Sequence, residues 1–250
     1  MYQNLPSFLA NTNYQNPSDE LATVFQSAFA TSQHCFTWLG ERPERLSLFN
    51  DYMALRRRPS LSWLSVYPVD IETAGLDDPG RAIYVNPGGG IGHQCREFRQ
   101  RFPDLPGRVV LQDLPHTIEE ALETHGVENM AHDFFDEQPV KDAKFYFFRG
   151  VCHNHPDHKV KRLLEQTRNA MRQDSILLLD EWVLPEAGVN SYAASMDLTM
   201  MAAFAGMERT ESHWRELLDE VGLKLVKIYV YNSAVSGRME KTADGCQEVL

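Results

Sequence analysis

The chain is 250 residues long, carries a formal net charge of −11 at pH 7 and is 43% hydrophobic. This length suits one α/β domain, or one domain with an appendage, with enough apolar side chain for a real core. The acidic balance excludes a general nucleic-acid binder, because phosphate contacts require a basic surface. The one basic run, Arg56-Arg57-Arg58, reads as a solvated helix end. No stretch reaches the roughly eighteen consecutive apolar residues of a membrane helix, and Met1 to Pro6 lacks the basic start and apolar run of a secretory signal. A cytoplasmic location with no membrane partner is therefore expected. Cys35, Cys95, Cys152 and Cys246 stand far apart without CxxC spacing, which fits reduced thiols better than a disulfide framework.

Residues 18–66 read as helical. Leu21, Val24, Phe25, Ala28 and Phe29 recur at the spacing of a buried helix face, and Trp38, Leu46, Leu48, Phe49, Met53 and Leu55 continue the pattern in pieces. A loop through Gly75, Asp77, Asp78, Pro79 and Gly80 then divides a helical extension (1–75) from a second unit (76–250). In that unit strands are predicted at 82–86, 108–112, 144–148, 175–180 and 223–230, and helices at 92–101, 115–124, 158–171, 193–205 and 211–221. Such alternation builds an α/β fold, a parallel sheet with helices on both faces.

The first strand runs into Gly88-Gly89-Gly90-Ile91-Gly92, and Asp113 ends the second apolar run about twenty residues later, the placement of a ribose-binding carboxylate. Glycine lets the backbone turn sharply and lets a ligand approach to contact distance. The spacing of Gly88, Gly90 and Gly92 is Gly-x-Gly-x-Gly and not the dinucleotide Gly-x-Gly-x-x-Gly. That favours S-adenosylmethionine, which has no pyrophosphate to seat on a helix N-terminus. Asp113 also reads as a cap for a helix starting at Pro115. Asp133-Phe134 precede the strand at 144–148 and Arg149 to His153 follow it, so the polar candidates gather at the carboxyl ends of the strands.

The segments Val85 to His93, Val110 to His116, Met130 to Phe135, Phe145 to Arg149, His153 with Pro156-Asp157, Asp180-Glu181 and Glu208-Arg209-Thr210 resemble the S-adenosylmethionine-dependent O-methyltransferases of fungal secondary metabolism, relatives of the caffeic acid and flavonoid enzymes. The resemblance implies a Rossmann-like class I methyltransferase sheet. It implies that Gly88, Gly90 and Gly92 pass under the methionine part of the cofactor, that Asp113 with Leu114 holds the ribose, that Asp133 and Phe134 flank the adenine, and that Arg149 contacts the cofactor. His153 would be the general base, oriented by Glu181 and Glu208, and S-adenosylhomocysteine the product. Met200 and Met201 are open to two readings, core packing or the lining of an acceptor pocket. The expected partners are a small aromatic or polyketide substrate and a second copy of the chain or a related methyltransferase.

Three departures from the family pattern stand out. Asn86 and Pro87 occupy positions where the family usually has an acidic and an aliphatic residue. His153-Asn154-His155 replaces the usual His-Asp-Trp. The N-terminal winged-helix-like dimerisation domain of the family is expected to be largely absent. These departures leave two alternatives: a fold diverted to cyclisation or rearrangement, or a non-catalytic chain that pairs with a full-length relative. No metal site is expected from Cys152, His153, His155, Asp157 and His158, since adjacent ligands cannot converge on one ion without unusual backbone geometry. His155 and His158 read as exposed at the start of the following helix.

Overall fold

The computed structural model describes residues 1–56, 62–232, 237–239 and 248–249. The rest of the basic run after Arg56, the C-terminal cysteine Cys246 and the end of the predicted first helical stretch before Ser62 lie outside the described residues. Strands β1 (Ala82–Pro87), β2 (Arg108–Asp113), β3 (Val127–Ala131), β4 (Phe145–Arg149), β5 (Ile176–Leu184), β7 (Lys224–Leu225) and β10 (Glu248–Val249) form a parallel sheet in the order β3-β2-β1-β4-β5-β10-β7. The α/β class read from the sequence is the observed one. Strand β6 (Arg209–Thr210) adds to the far end of β5, and β8 (Tyr229–Asn232) with β9 (Gly237–Met239) forms an antiparallel ribbon along β5.

Period-two alternation sends neighbouring strand residues to opposite faces. Val85, Val110, Tyr146, Phe148, Leu177 and Leu179 pack one way, against Val160, Leu163 and Leu164 of α8 (Asp157–Arg168) and Trp214, Leu217 and Leu218 of α10 (Glu211–Glu220). Tyr84, Val109, Leu111, Phe145, Phe147 and Leu178 pack the other way, against Cys95 and Phe98 of α6 (His93–Arg101) and against Trp63. Trp63 is fully buried, stacked on Phe147 at 4.7 Å between ring centres. Burial of a side chain of this kind stabilises the fold by about 1.5–3 kcal/mol. It fixes the segment after the N-terminal helices, which continues into the short helix α5 (Val69–Glu72), onto the sheet.

Several predicted elements differ in extent. Edge strand β3 has exposed Glu128 and Asn129, so it lacks the apolar run that marks a strand and was not predicted. The helix predicted at 115–124 is one short turn, α7 (Pro115–Ile118), and Leu122 N–H donates to the Ile91 carbonyl beyond it. Strand β5 runs four residues past its predicted end at Asp180, because Tyr231 bonds Asp180 and the Val151 N–H group bonds one oxygen of Glu181. The strand predicted at 223–230 is split into β7 and the start of β8. The N-terminal helical stretch is broken into α2 (Val24–Phe29), α3 (Cys35–Gly40) and α4 (Pro43–Arg56), after a first helix α1 (Leu5–Asn11). Thr23 and Gln26 make a capping box, Ala30 ends α2 in the left-handed conformation, and His34 caps α3. Of the residues assigned to a buried face, Val24, Phe25 and Trp38 are buried, whereas Leu21, Phe29 and Leu48 are exposed. Phe25 and Trp38 pack on Met196, Met200 and Phe204 of α9 (Ser191–Phe204). Among the described residues no helix is long and apolar enough to cross a membrane, and Cys35, Cys95 and Cys152 are free and buried.

Candidate active site

Strands β1 and β4 are neighbours whose onward connections diverge, β1 leading to β2 on one side and β4 to β5 on the other. A crevice forms beyond the carboxyl ends of strands at such a switch point. The turn after β1 lines it. Gly88, Gly90 and Gly92 have φ of 66°, 62° and 94°, which only glycine adopts without strain. A Cβ on Gly88 would lie 2.8 Å from Val151 Cγ2 and 3.3 Å from Phe134 Cε1. Gly89, which the alternating spacing passed over, is equally restricted: its Cβ would meet Leu111 Cδ1 at 2.5 Å and Asn86 Oδ1 at 2.6 Å. The signal for it was the unbroken run Gly88-Gly89-Gly90.

Asp113 binds this turn to the end of β2. Its Oδ2 accepts from Gly90 N–H and its Oδ1 from Leu114 N–H, both at 2.8 Å. Leu114, and not Asp113, is the capping residue of α7, and no side chain caps that helix, so the capping alternative does not hold. The Thr117 hydroxyl also bonds this carboxylate, and the lone pairs left over can accept from a ligand hydroxyl. Burial raises the Asp113 pKa above the usual carboxylate value. Asn86 is buried and faces the α6 side of the sheet, where its amide donates to the Phe147 carbonyl at 2.8 Å. An ionised carboxylate could not make that bond. The departure at this position therefore changes the support beneath the turn.

After β3, Asp133 is exposed and its Oδ1 accepts from Phe135 N–H at 2.9 Å, closing a turn that presents Phe134 beside Gly88. Phe134 and Phe135 meet edge to face at 4.8 Å, and the His155 ring lies 5.7 and 5.1 Å from them. His158 is exposed as expected, but His155 is buried. Its Nδ1 lies 3.6 Å from Glu20 Oε2 in the N-terminal segment, and Lys159 Nζ lies 3.3 Å from Glu20 Oε1. Local sequence could not show a partner so far away in the chain. Contact with His155, aided by Lys159 and opposed by burial, holds the Glu20 pKa down to about 2. A depressed carboxylate stabilises the fold above its unfolded value and loses that contribution as pH falls. Glu20→Gln is expected to lower stability by about 1 kcal/mol, after solvent screening, at neutral pH. The difference from the parent should shrink between pH 4.5 and about 2, as read by denaturant unfolding at several pH values.

The turn after β4 carries the reactive candidate. Cys152–Asn154 form a single 3-10 turn following Gly150, whose φ is 58°. His153 Nδ1 lies 2.9 Å from Glu208 Oε1 and 4.0 Å from Glu181 Oε2. Glu181 Oε1 accepts from the Val151 and Cys152 N–H groups at 2.9 and 2.7 Å, so it holds the turn as well as facing the ring. Burial, opposed by His153, raises the Glu181 pKa. Glu181 Oε2 and Glu208 Oε2 are buried and make no hydrogen bond among the described residues. The other members of the His153 cluster point elsewhere: Cys152 is fully buried, and Asp157 pairs with Arg209 and His213. His153, Glu181 and Glu208 instead bring one nitrogen and two carboxylate oxygens within 4.8 Å of one another. Such a set either tunes the imidazole as a base or ligates a cation, and the two uses compete for Nδ1.

Arg149 Nε pairs with Asp180 Oδ2 at 3.1 Å, and the Tyr231 hydroxyl donates to the same carboxylate at 2.8 Å. Asp180, within β5, thus holds the end of β4 through Arg149, and burial raises its pKa despite Arg149. Met200 is buried with Phe25, Cys35 and Trp38, and Met201 is half-buried. Sequence reasoning missed Gly206 and the role of Arg209. A Cβ on Gly206 would lie 2.1 Å from the His153 carbonyl oxygen, so α9 can end against the His153 turn only with glycine there.

The chain is similar to demethylsterigmatocystin 6-O-methyltransferase of Aspergillus parasiticus, with 41% identity over 231 residues, covering 92% of this chain and 59% of that protein. A structure of LepI with S-adenosylhomocysteine and a substrate analogue has a TM-score of 0.87 at 37% identity, covering 96% of this chain and 62% of the other. A structure described as a pericyclic reaction enzyme has a TM-score of 0.88 at the same 37% identity and the same coverages of 96% and 62%. The chain thus spans about three fifths of these proteins' length. The sequence profile of the O-methyltransferase domain matches residues 15–224, and with the parallel sheet and glycine turn described above, this chain belongs to the O-methyltransferase domain family.

Proposed function

We propose that this chain is the catalytic part of an S-adenosylmethionine-dependent O-methyltransferase acting on a phenolic or enolic hydroxyl of a small aromatic or polyketide metabolite. The observation that carries the reading is the His153–Glu208 contact of 2.9 Å, standing one strand away from a glycine turn tied to Asp113. The residues present fit the cofactor. The positive φ of Gly88, Gly90 and Gly92 turns the backbone across the carboxyl end of β1, Phe134 supplies a flat apolar wall beside Gly88, and Asp113 places a carboxylate on the turn. Asp113, with Leu114 beside it, would hold the ribose, Asp133 and Phe134 the adenine, and Gly88, Gly90 and Gly92 the methionine part, with Arg149 in contact near the Asp180 end of the sheet. Met200 and Met201 would line the acceptor side.

When bound, S-adenosylmethionine supplies an electrophilic methyl group. The chain's own residues prepare the acceptor. A phenol of pKa about 10 is a weak nucleophile at neutral pH, so a base that removes its proton during attack lowers the barrier. With the Nδ1 proton donated to Glu208, His153 presents Nε2 as the basic nitrogen and takes the hydroxyl proton there. Glu208 and Glu181 then stabilise the imidazolium that forms, in the manner of a catalytic triad. Much of the remaining rate comes from alignment. We assign the enzyme to the cytoplasm, divide it at about residue 75 into a helical extension and the cofactor-binding unit, and expect it to pair with a second copy or a related methyltransferase.

Calorimetric titration with S-adenosylmethionine and S-adenosylhomocysteine tests the cofactor site. Binding of both, the product at least as tightly, is the expected result; no heat with either at millimolar concentration would refute it. A second reading is favoured by the similarity to a pericyclic reaction enzyme and by the altered Asn86 and His155 positions. In it the same pocket cyclises or rearranges its substrate. Product mass separates the two, since a rearrangement adds no methyl group.

A further inference from the structure

We infer that Arg209 is a positioning residue that sets the His153–Glu208 contact by clamping the turn carrying the histidine; its catalytic consequence rests on the methyltransferase reading above. The Arg209 side chain is fully buried. Its Nη1 donates to the Cys152 carbonyl at 3.0 Å and its Nη2 to the His155 carbonyl at 2.9 Å. Those two carbonyls bracket His153. The bond from Met207 N–H to the His153 carbonyl, at 3.1 Å, fills the gap between them, so residues 207 and 209 hold three of the four carbonyls from Cys152 to His155. Glu208 stands between these two anchors. Its own N–H donates to Asp197 Oδ1 on α9 at 2.8 Å, which leaves its carboxylate aimed at His153 Nδ1.

The guanidinium is suited to this task. Its planar fork presents five donors in fixed directions, and two of them, Nε and Nη2, reach Asp157 Oδ1 at 2.9 and 2.8 Å. Asp157 opens α8, and its second oxygen lies 2.9 Å from His213 Nε2 on α10. Burial of an arginine is tolerated only with a paired charge and satisfied donors, and this site provides both. The clamp therefore links the start of α8, α10 and the segment 207–209 to one turn. It makes a tight His153–Glu208 distance a property of the fold, although the two residues lie 55 positions apart.

The test compares Arg209→Met, Arg209→Lys and Asp157→Asn in the full chain. A buried imidazole N–H shared with a carboxylate gives a slowly exchanging, far-downfield proton resonance, and Glu208→Gln identifies it. That resonance should be present in the parent and lost in Arg209→Met. Arg209→Lys, which keeps the charge and part of the donor set, should restore it partly. Turnover in Arg209→Met should fall on the order of 10²-fold, as expected for misplaced reacting groups, while cofactor dissociation constants measured by calorimetry stay unchanged. If Arg209→Met does not fold, Asp157→Asn weakens the clamp from its half-exposed end and should shift the same resonance. Retention of the resonance in every folded variant would overturn the inference. The resonance is read without turnover, so an inactive parent would count against the methyltransferase reading alone.

Discussion

Replacing His153 with Ala is expected to lower turnover by about 10²- to 10⁴-fold while cofactor binding persists, the range lost when a positioned general base is removed. The two effects separate because they reside on different elements. The proposed cofactor cradle is the turn after β1 with Asp113 at the end of β2, and neither touches the imidazole in the hydrogen bonding described above. The histidine sits on the turn after β4, its ring held by Glu208 at 2.9 Å. Without it two buried carboxylates face each other with no group between them, so Glu181, already raised by burial, should bind a proton more readily still. Leaving such groups unpaired costs about 1–3 kcal/mol, so a modest fall in the unfolding midpoint should accompany the loss of rate. Single-turnover assays with calorimetry on the same sample measure both. Unchanged turnover would remove His153 from the mechanism.

Gly206→Ala should do comparable damage from a position outside the proposed base and its carboxylates. The added Cβ would lie 2.1 Å from the His153 carbonyl oxygen, 2.9 Å from Asn154 C and 3.0 Å from His155 N. All three atoms are backbone, so no rotamer change relieves the clash. Either the end of α9 or the His153 turn must move, and a shift of about 1 Å at reacting groups costs on the order of 10²-fold in rate. Overpacking of this kind also destabilises by about 1–3 kcal/mol. Gly188→Ala is a useful control, since nothing lies within 4 Å of its Cβ position and its φ of 75° imposes backbone strain alone. Thermal unfolding of both variants, with turnover, distinguishes a clash at the active site from a general loss of stability. Turnover in Gly206→Ala equal to the parent would mean that the His153 turn tolerates displacement.

The central strands were legible because each is a short apolar run, and burial on both faces leaves little else those residues can form. The glycine turn was legible for a similar reason: three positive-φ glycines in five residues serve no purpose in a strand or helix. Asp180 and Glu181 hid the second half of β5, since two acids in an apolar run look like its end. They become strand residues only when Arg149, Tyr231, and the N–H groups of Val151 and Cys152 arrive from other elements. His155 was misread for the same reason, its burial depending on Glu20 far away in the chain. Likeness to a family, and not periodicity, singled out His153, Glu181 and Glu208, and the fold brings their donor atoms within 4.8 Å.

The sequence by itself determined the α/β class, the first βα turn with its glycines and Asp113 at the next strand end. These features are local, encoded in burial periodicity and in the φ values that only glycine accepts. The tertiary structure alone decided that Asn86 donates to the Phe147 carbonyl, that the N-terminal segment reaches His155, and that Gly206 and Arg209 grip the His153 turn. Each of these joins side chains or backbone groups distant in sequence, and which groups meet is set by strand order and helix packing, information that no local pattern carries.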